Sequence, residues 1–282
     1  MSSLHNIKHR INNVATTRKI MKAMDMVSAA KLHKARARLD GARPIFTEIK
    51  NVIDDLKYCE EVRDNVYVAQ REVKNTAYIV ITSDKGLCGS YNKNISEAVL
   101  AHMKGKNEKI LVVGIKGSEF FRRRDKNVIR RITDISETQM YEGTGRMAER
   151  IRHMYLSGEV DEVYVAYTRF ETTLKYAPCV EKILPISDDG EDSGIRYRGM
   201  KYEPDANTFI NELIPLYLHM YFFAAHSESV ACEHAARMVN MESADKNATE
   251  IIDDLTLMYN RKRQAVITQE INEIVSGANI LK

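Results

Sequence analysis

From Glu233 to Lys282 the chain runs without a proline and with a single glycine, Gly277. Ala244, Ala248, Ile251, Leu255, Met258 and Ala265 recur there at steps of mostly three or four, with polar residues between them, which predicts a long amphipathic helix that stops near Gly277. A helix of that length carries a narrow apolar seam along one side. Water is a poor neighbour for such a seam, so a second helix must lie against it.

The partner is predicted at the other end of the sequence. Leu4 to about Lys57 contains no glycine except Gly41 and no proline except Pro44. Ile7, Ile11, Val14, Met21, Leu32, Ala35 and Leu39 fall at heptad-compatible intervals, and Ile20, Met24 and Val27 widen the stripe midway, so this arm is expected to be covered on more than one side. Unbroken, it would span roughly 80 Å, and the C-terminal run from about Asn207 more than roughly 100 Å. No compact core of this chain is that long. The expected arrangement is an antiparallel, left-handed coiled coil of residues 1–58 and 207–282 that projects from a body. Pro215 should kink the second arm or start it afresh.

Between the arms the texture changes. Ala77 to Thr82 is a short β-branched run, followed by the turn Ser83 to Ser90 and a helical pattern through Ala98, Val99, Leu100 and Met103. Lys109 to Val113 repeats the strand signal, and Val160 to Thr168 supplies a third strand after a helix around Arg146 to Tyr155. A further extended segment is expected around Cys179 to Ile186. This alternation predicts βαβ units and a small parallel sheet over residues 76–194, an α/β class. The acidic Ser187 to Gly194 reads as a closing loop, since it lacks the glutamate placement of a calcium loop.

Charge narrows the partners. Residues 1–50 hold 11 Lys or Arg against 3 Asp or Glu, a surplus of 8 within a chain of net charge +3. Such an arm is either a solvated face or one that meets acid: nucleic acid, lipid head groups or an acidic protein. No window of about eighteen apolar residues is present to cross a membrane. The first ten residues resemble neither a signal nor a transit peptide, which favours a cytoplasmic product. Cys59, Cys88, Cys179 and Cys232 are far apart, form no CxxC and read as reduced thiols.

No catalytic constellation assembles. Gly86 and Gly89 follow a strand, but GxGxxG and GxxxxGK[ST] are absent, so glycine there is expected to serve a tight turn by adopting positive φ. Cys88 near a helix start has no placed histidine. His5 and His9 lack a third ligand, and His219, His226 and His234 share no face, so surface or interface positions are expected for them. Asp253 and Asp254 diverge around a helix. The basic arm has no aromatic residue for stacking in its first forty-five positions, which weighs against nucleic acid without removing it. The cluster Met21, Met24 and Met26 is either core or a deformable contact surface.

Thr17-Arg18-Lys19-Ile20-Met21-Lys22-Ala23-Met24-Asp25-Met26-Val27-Ser28-Ala29-Ala30-Lys31, preceded by Ile7 to Val14, resembles the N-terminal signature of the gamma subunit of F-type ATP synthases. Ala235 to Met241 with Leu255 to Gly277 resembles its C-terminal signature, and Ser83 to Gly89 its central motif; Asn240 and Glu242 depart from commoner residues. The resemblance implies a non-catalytic central-stalk rotor without a cofactor or metal, its coiled coil inside a ring of alpha and beta subunits and its Rossmann-like body near epsilon and the c-ring. It implies a peripheral position on the cytoplasmic face of the cell membrane. It further implies that Met24 faces an acidic loop of a beta subunit and that Arg237, Arg263, Gln264, Thr268 and Glu270 make contacts higher on the shaft. Tyr202 and Glu203 are implied at the foot near the c-ring. The reading that competes with it is a basic coiled-coil nucleic-acid-binding or scaffold protein.

Overall fold

The computed structural model describes residues 2–133, 135, 138–186 and 201–280. The acidic segment 187–194 and the first half of the lead-in, 197–200, lie outside the described residues. The order is α1 (Ser2–Leu56), a short 3-10 turn (Glu60–Val62), β1 (Thr76–Ile81), α2 (Tyr91–His102), β2 (Glu108–Val113), α3 (Ile115–Arg122), β3 (Val128–Ile132), α4 (Met140–Leu156), β4 (Glu162–Phe170), β5 (Tyr176–Leu184) and α5 (Ala206–Ile280). Two compact units divide the chain: Met1–Ala29 with Arg237–Lys282, and Ala30–Ala236.

In the larger unit one sheet runs in the order β3-β2-β1-β4-β5. The first four strands are parallel and β5 returns antiparallel along β4. Every residue of β1 is buried, as a strand covered on both faces requires. Alternation sorts the side chains. Ala77, Ile79, Ile81, Leu111, Val113, Val163 and Val165 share one core with α4 and with Ile53, Ile210, Ile214, Leu218 and Phe222 of the long helices. Tyr78, Val80, Ile110, Val112 and Ala166 face Ile95, Val99 and Met103 of α2 and Phe121 of α3. Here α1 and α5 lie antiparallel: Phe46 meets Tyr221 edge-on at 5.3 Å, and Arg43 meets Glu228.

Strands expected at 77–82 and 109–113 are β1 and β2, and the segments at 160–168 and 179–186 are β4 and β5. β3 was not anticipated. Its sequence Val-Ile-Arg-Arg-Ile hides the strand signal, because an edge strand with three exposed central residues can carry arginine. α5 does not begin afresh at Pro215; the helix starts at Ala206 and passes through it, held by Ile210, Ile214 and Leu218 in the core. It ends at Ile280, three residues past Gly277.

The turn after β1 has a different economy from the expected one. Gly89 adopts φ +56°, but the other positive φ belongs to Leu87 at +63°, not to Gly86. The glycine the fold cannot do without is Gly114, at φ +98°, where a Cβ would lie 2.4 Å from the Thr82 carbonyl oxygen.

In the smaller unit the two termini lie side by side, and the Arg18 guanidinium donates to Asp245. Met241, Ala248 and Leu255 are buried, whereas Ile251 and Met258 of the predicted seam are 46% and 54% exposed. Beyond Tyr259, Val266 alone of α5's residues up to Ser276 is not fully exposed, so the seam is not covered along its whole length.

Candidate functional site

The exposed end of α5 is the first place where this chain is unfinished. Leu257, Met258, Ile267, Ile271, Ile274 and Val275 are 45–72% exposed on this helix. α1 has a matching strip: Ile20, Met26 and Val27 are 56–65% exposed, while Met21 and Met24 are half-buried. The methionine cluster therefore divides, with one side toward its own helix pair and one side free. Rows of large apolar side chains on helices mark contact surfaces, because each forfeits, in proportion to the part left wet, a share of the about 1.5–3 kcal/mol that full burial gives.

Four of the polar residues singled out in the sequence lie on this stretch of α5. Arg263, Gln264, Thr268 and Glu270 are exposed, and the Thr268 hydroxyl donates to the Gln264 carbonyl at 2.9 Å. Arg237 is different: it is buried, at 6% exposure. Tyr202 packs on Phe209 at 5.3 Å against the core of the larger unit, with Glu203 exposed beside it.

The strand-to-helix turn is held from inside. The Asn92 carboxamide accepts from the Ser83 N–H at 2.9 Å and donates to Ser83 Oγ, and it lies 3.1 Å from Cys88 Sγ. The Thr82 hydroxyl donates to the Val113 carbonyl and accepts from the Gly117 N–H, closing α3 onto β1. The space where a dinucleotide would sit, at the carboxyl ends of β1 and β2, is a cavity of about 80 Å³ lined by Thr82, Ser83, Asp84, Gly114, His226 and Glu233 among others. Small-molecule pockets run to roughly 300–1,000 Å³, so this cavity suits a few waters.

Two of the C-terminal histidines are not at a surface. His226 and His234 are 6% and 8% exposed, which corrects the expectation for both, and among the described residues Nδ1 of His226 has no hydrogen-bond partner. Burial, with the Arg38 charge second, pulls the His226 pKa down to about 4, so the ring is neutral. Burial pushes the Cys179 thiol up to about 11 and raises Cys232 further, the reverse of an activated nucleophile. Among the described residues no group of three His, Cys, Asp or Glu is arranged to hold a metal.

Around the sheet the charged groups act as ties. Burial pushes the Glu162 carboxyl up, but hydrogen bonds from Lys106 at 2.7 Å and from Thr76 at 2.8 Å outweigh it and hold its pKa below the usual range. Asp161 is lowered in the same balance by the N–H groups of Asn75 and Lys74. Glu228 goes the other way: burial raises it, only partly offset by the Phe170 N–H and Arg43. Sequence reasoning passed over Glu228, whose one signal is a carboxylate amid the small and apolar run Ser227 to Cys232.

A family model described as ATP synthase matches residues 3–281. The ATP synthase gamma chain of Alkaliphilus metalliredigens is 41% identical over 285 residues, covering 99% of each chain. That of Moorella thermoacetica is 39% identical over the full length of both. Among solved structures, a chain in the central stalk and c-ring of the Tetrahymena thermophila mitochondrial ATP synthase is similar with a TM-score of 0.65 and 26% identity, over 80% of this chain and 99% of that one. A chain of the Euglena gracilis mitochondrial ATP synthase reaches a TM-score of 0.73 at 18% identity, over 99% and 95%, a likeness of fold.

Proposed function

The chain belongs to the ATP synthase gamma-chain family, and from that premise we propose that it is the central-stalk rotor that couples ion-driven rotation of a c-ring to ATP synthesis, or the reverse. The observation that carries the reading is the exposed apolar length of α5 beyond Tyr259, with the free strip Ile20, Met26 and Val27 on α1. Both need a sleeve. A ring of alternating alpha and beta subunits is the sleeve proposed, with epsilon and the c-ring bound lower down.

The chain itself is non-catalytic in this reading and needs no cofactor; chemistry belongs to the ring. A single asymmetric shaft inside a threefold ring touches three identical subunits differently and so holds their nucleotide sites in different states. Driving one site from mostly open to mostly closed takes about 5.5 kcal/mol of differential contact. One exposed ion pair supplies roughly 0–1 kcal/mol, so the load is distributed. Apolar contacts along the end of α5 and at the free strip Ile20, Met26 and Val27, with the exposed part of half-buried Met24 beside it, supply most of it, and Arg263, Gln264, Thr268 and Glu270 set orientation. Arg237, buried, acts by holding α5. Tyr202 and Glu203 are the foot toward the c-ring.

Residues 1–58 and 207–282 are the shaft and 76–194 the body in this scheme. Among the described residues no helix is long and apolar enough to cross a membrane. Attachment to the membrane therefore runs through the c-ring, at the cytoplasmic face. Tagged chain isolated from its cell should bring down an ATPase hexamer. Isolation without it, together with salt-steep affinity for RNA or DNA, would favour the basic-binder reading instead.

A further inference from the structure

The end of β4 is held by both long helices at one point. The Phe170 N–H donates to Glu228 Oε2 at 3.0 Å, and the Phe170 carbonyl accepts from Arg43 at 3.3 Å. Glu228 Oε1 stands 3.7 Å from the same Arg43 guanidinium. Two residues earlier, the Thr168 N–H donates to Ser229 Oγ and the Cys232 thiol to the Thr168 carbonyl. Glu228 thus binds α1 through Arg43 and the sheet through Phe170 while standing on α5. Its side chain is 14% exposed, that of Arg43 50%.

A body that turns with two helices must resist sliding, not only separation. Apolar packing is strong but non-directional, so it opposes pulling apart better than slipping. Hydrogen bonds to a backbone N–H and carbonyl are directional and fix register. A charge-assisted bond at the strand end, out of most of the solvent, is the stiffest tie available there. Glu181 adds a second, receiving the hydroxyls of Tyr221 and Tyr167 and the Arg169 guanidinium.

We propose that Glu228 is a positioning residue for torque transfer, locking the sheet to α1 and α5 through Phe170 and Arg43 so that the body and the long helices turn as one. This rests on the rotor reading above. The test uses the assembled ATPase with its ring fixed to a surface and a probe attached through a peptide tag at Leu174, which is 80% exposed in the turn after β4. The quantity read is the thermal angular width of the probe during pauses. Glu228→Ala removes two of the five polar ties at the strand end and should raise the angular variance roughly 1.5- to 2-fold. Arg43→Ala, milder for folding because it is half-exposed, should broaden it too. Glu228→Gln keeps an acceptor for the Phe170 N–H and should recover most of the lost stiffness. Glu162→Gln, at the other end of β4 and tied to Lys106 and Thr76, should leave the width unchanged. A wild-type width in both alanine variants overturns the lock, as does equal broadening in Glu162→Gln, which would mean general loosening. A wild-type probe that never turns overturns the rotor reading and the lock together.

Discussion

Arg18 Nε stands 3.1 Å from Asp245 Oδ1, joining α1 to α5 in the unit built from the two termini, with side chains 39% and 27% exposed. A pair so open to water contributes roughly 0–1 kcal/mol. Leu255, at 6% exposure, packs in the seam of the same unit. Leu255→Ala should therefore cost about 2–3 kcal/mol in chemical denaturation, several times the cost of Arg18→Ala. Equal costs would mean that charge rather than apolar packing holds the termini together.

Acid should destabilise the chain in two steps. His226 has a folded pKa near 4 against an ordinary 6.5, so between these values the unfolded chain binds the proton and the folded chain does not. Stability is then full above pH 6.5 and falls by about 3 kcal/mol as pH drops toward 4. Glu162 is lowered, so its contribution is present above the ordinary carboxylate range and is lost only as pH falls below it. Unfolding curves across pH should show the upper step vanish in His226→Leu and the lower one shrink in Glu162→Gln.

Two glycines should answer alanine with opposite signs. At Gly114 the new Cβ meets the Thr82 backbone at 2.4 Å with φ +98°, a cost of more than about 3 kcal/mol. At Gly41, inside α1, a new Cβ would have no described atom within 4 Å beyond the adjoining chain and helix backbone. Gly41→Ala should gain about 0.5–1 kcal/mol by helix propensity. Melting temperatures of the two variants check this directly.

The exposed end of α5 separates stability from assembly. Ile271→Asp or Ile274→Asp should leave the isolated chain's melting within about 0.5 kcal/mol of wild type. Each should weaken capture by the ring roughly tenfold or more. Single changes at Arg263 or Gln264 should slow ATP turnover and leave rotation intact. Met24→Lys should impair coupling, read as ions pumped per ATP.

The termini were legible because long helices write their seams in steps of three and four, and β1 and β2 because strands buried on both faces are continuous apolar runs. β3 was not, since its exposed Ile129, Arg130 and Arg131 carry no such run. The end of the coiled coil was misread for a related reason: Met258 and Ala265 continue the spacing of Ala248 and Leu255, and spacing does not say whose chain covers a residue. Glu228 was invisible because its partners, Arg43 and Phe170, are distant in sequence and one of them is a backbone N–H.

The most direct measurement is rotation itself: a probe on Leu174, a surface-fixed ring, and ATP. One-directional stepping that stops when ATP is withdrawn is the predicted result. ATP hydrolysis by an assembled complex whose probe stays still would contradict the account at its centre.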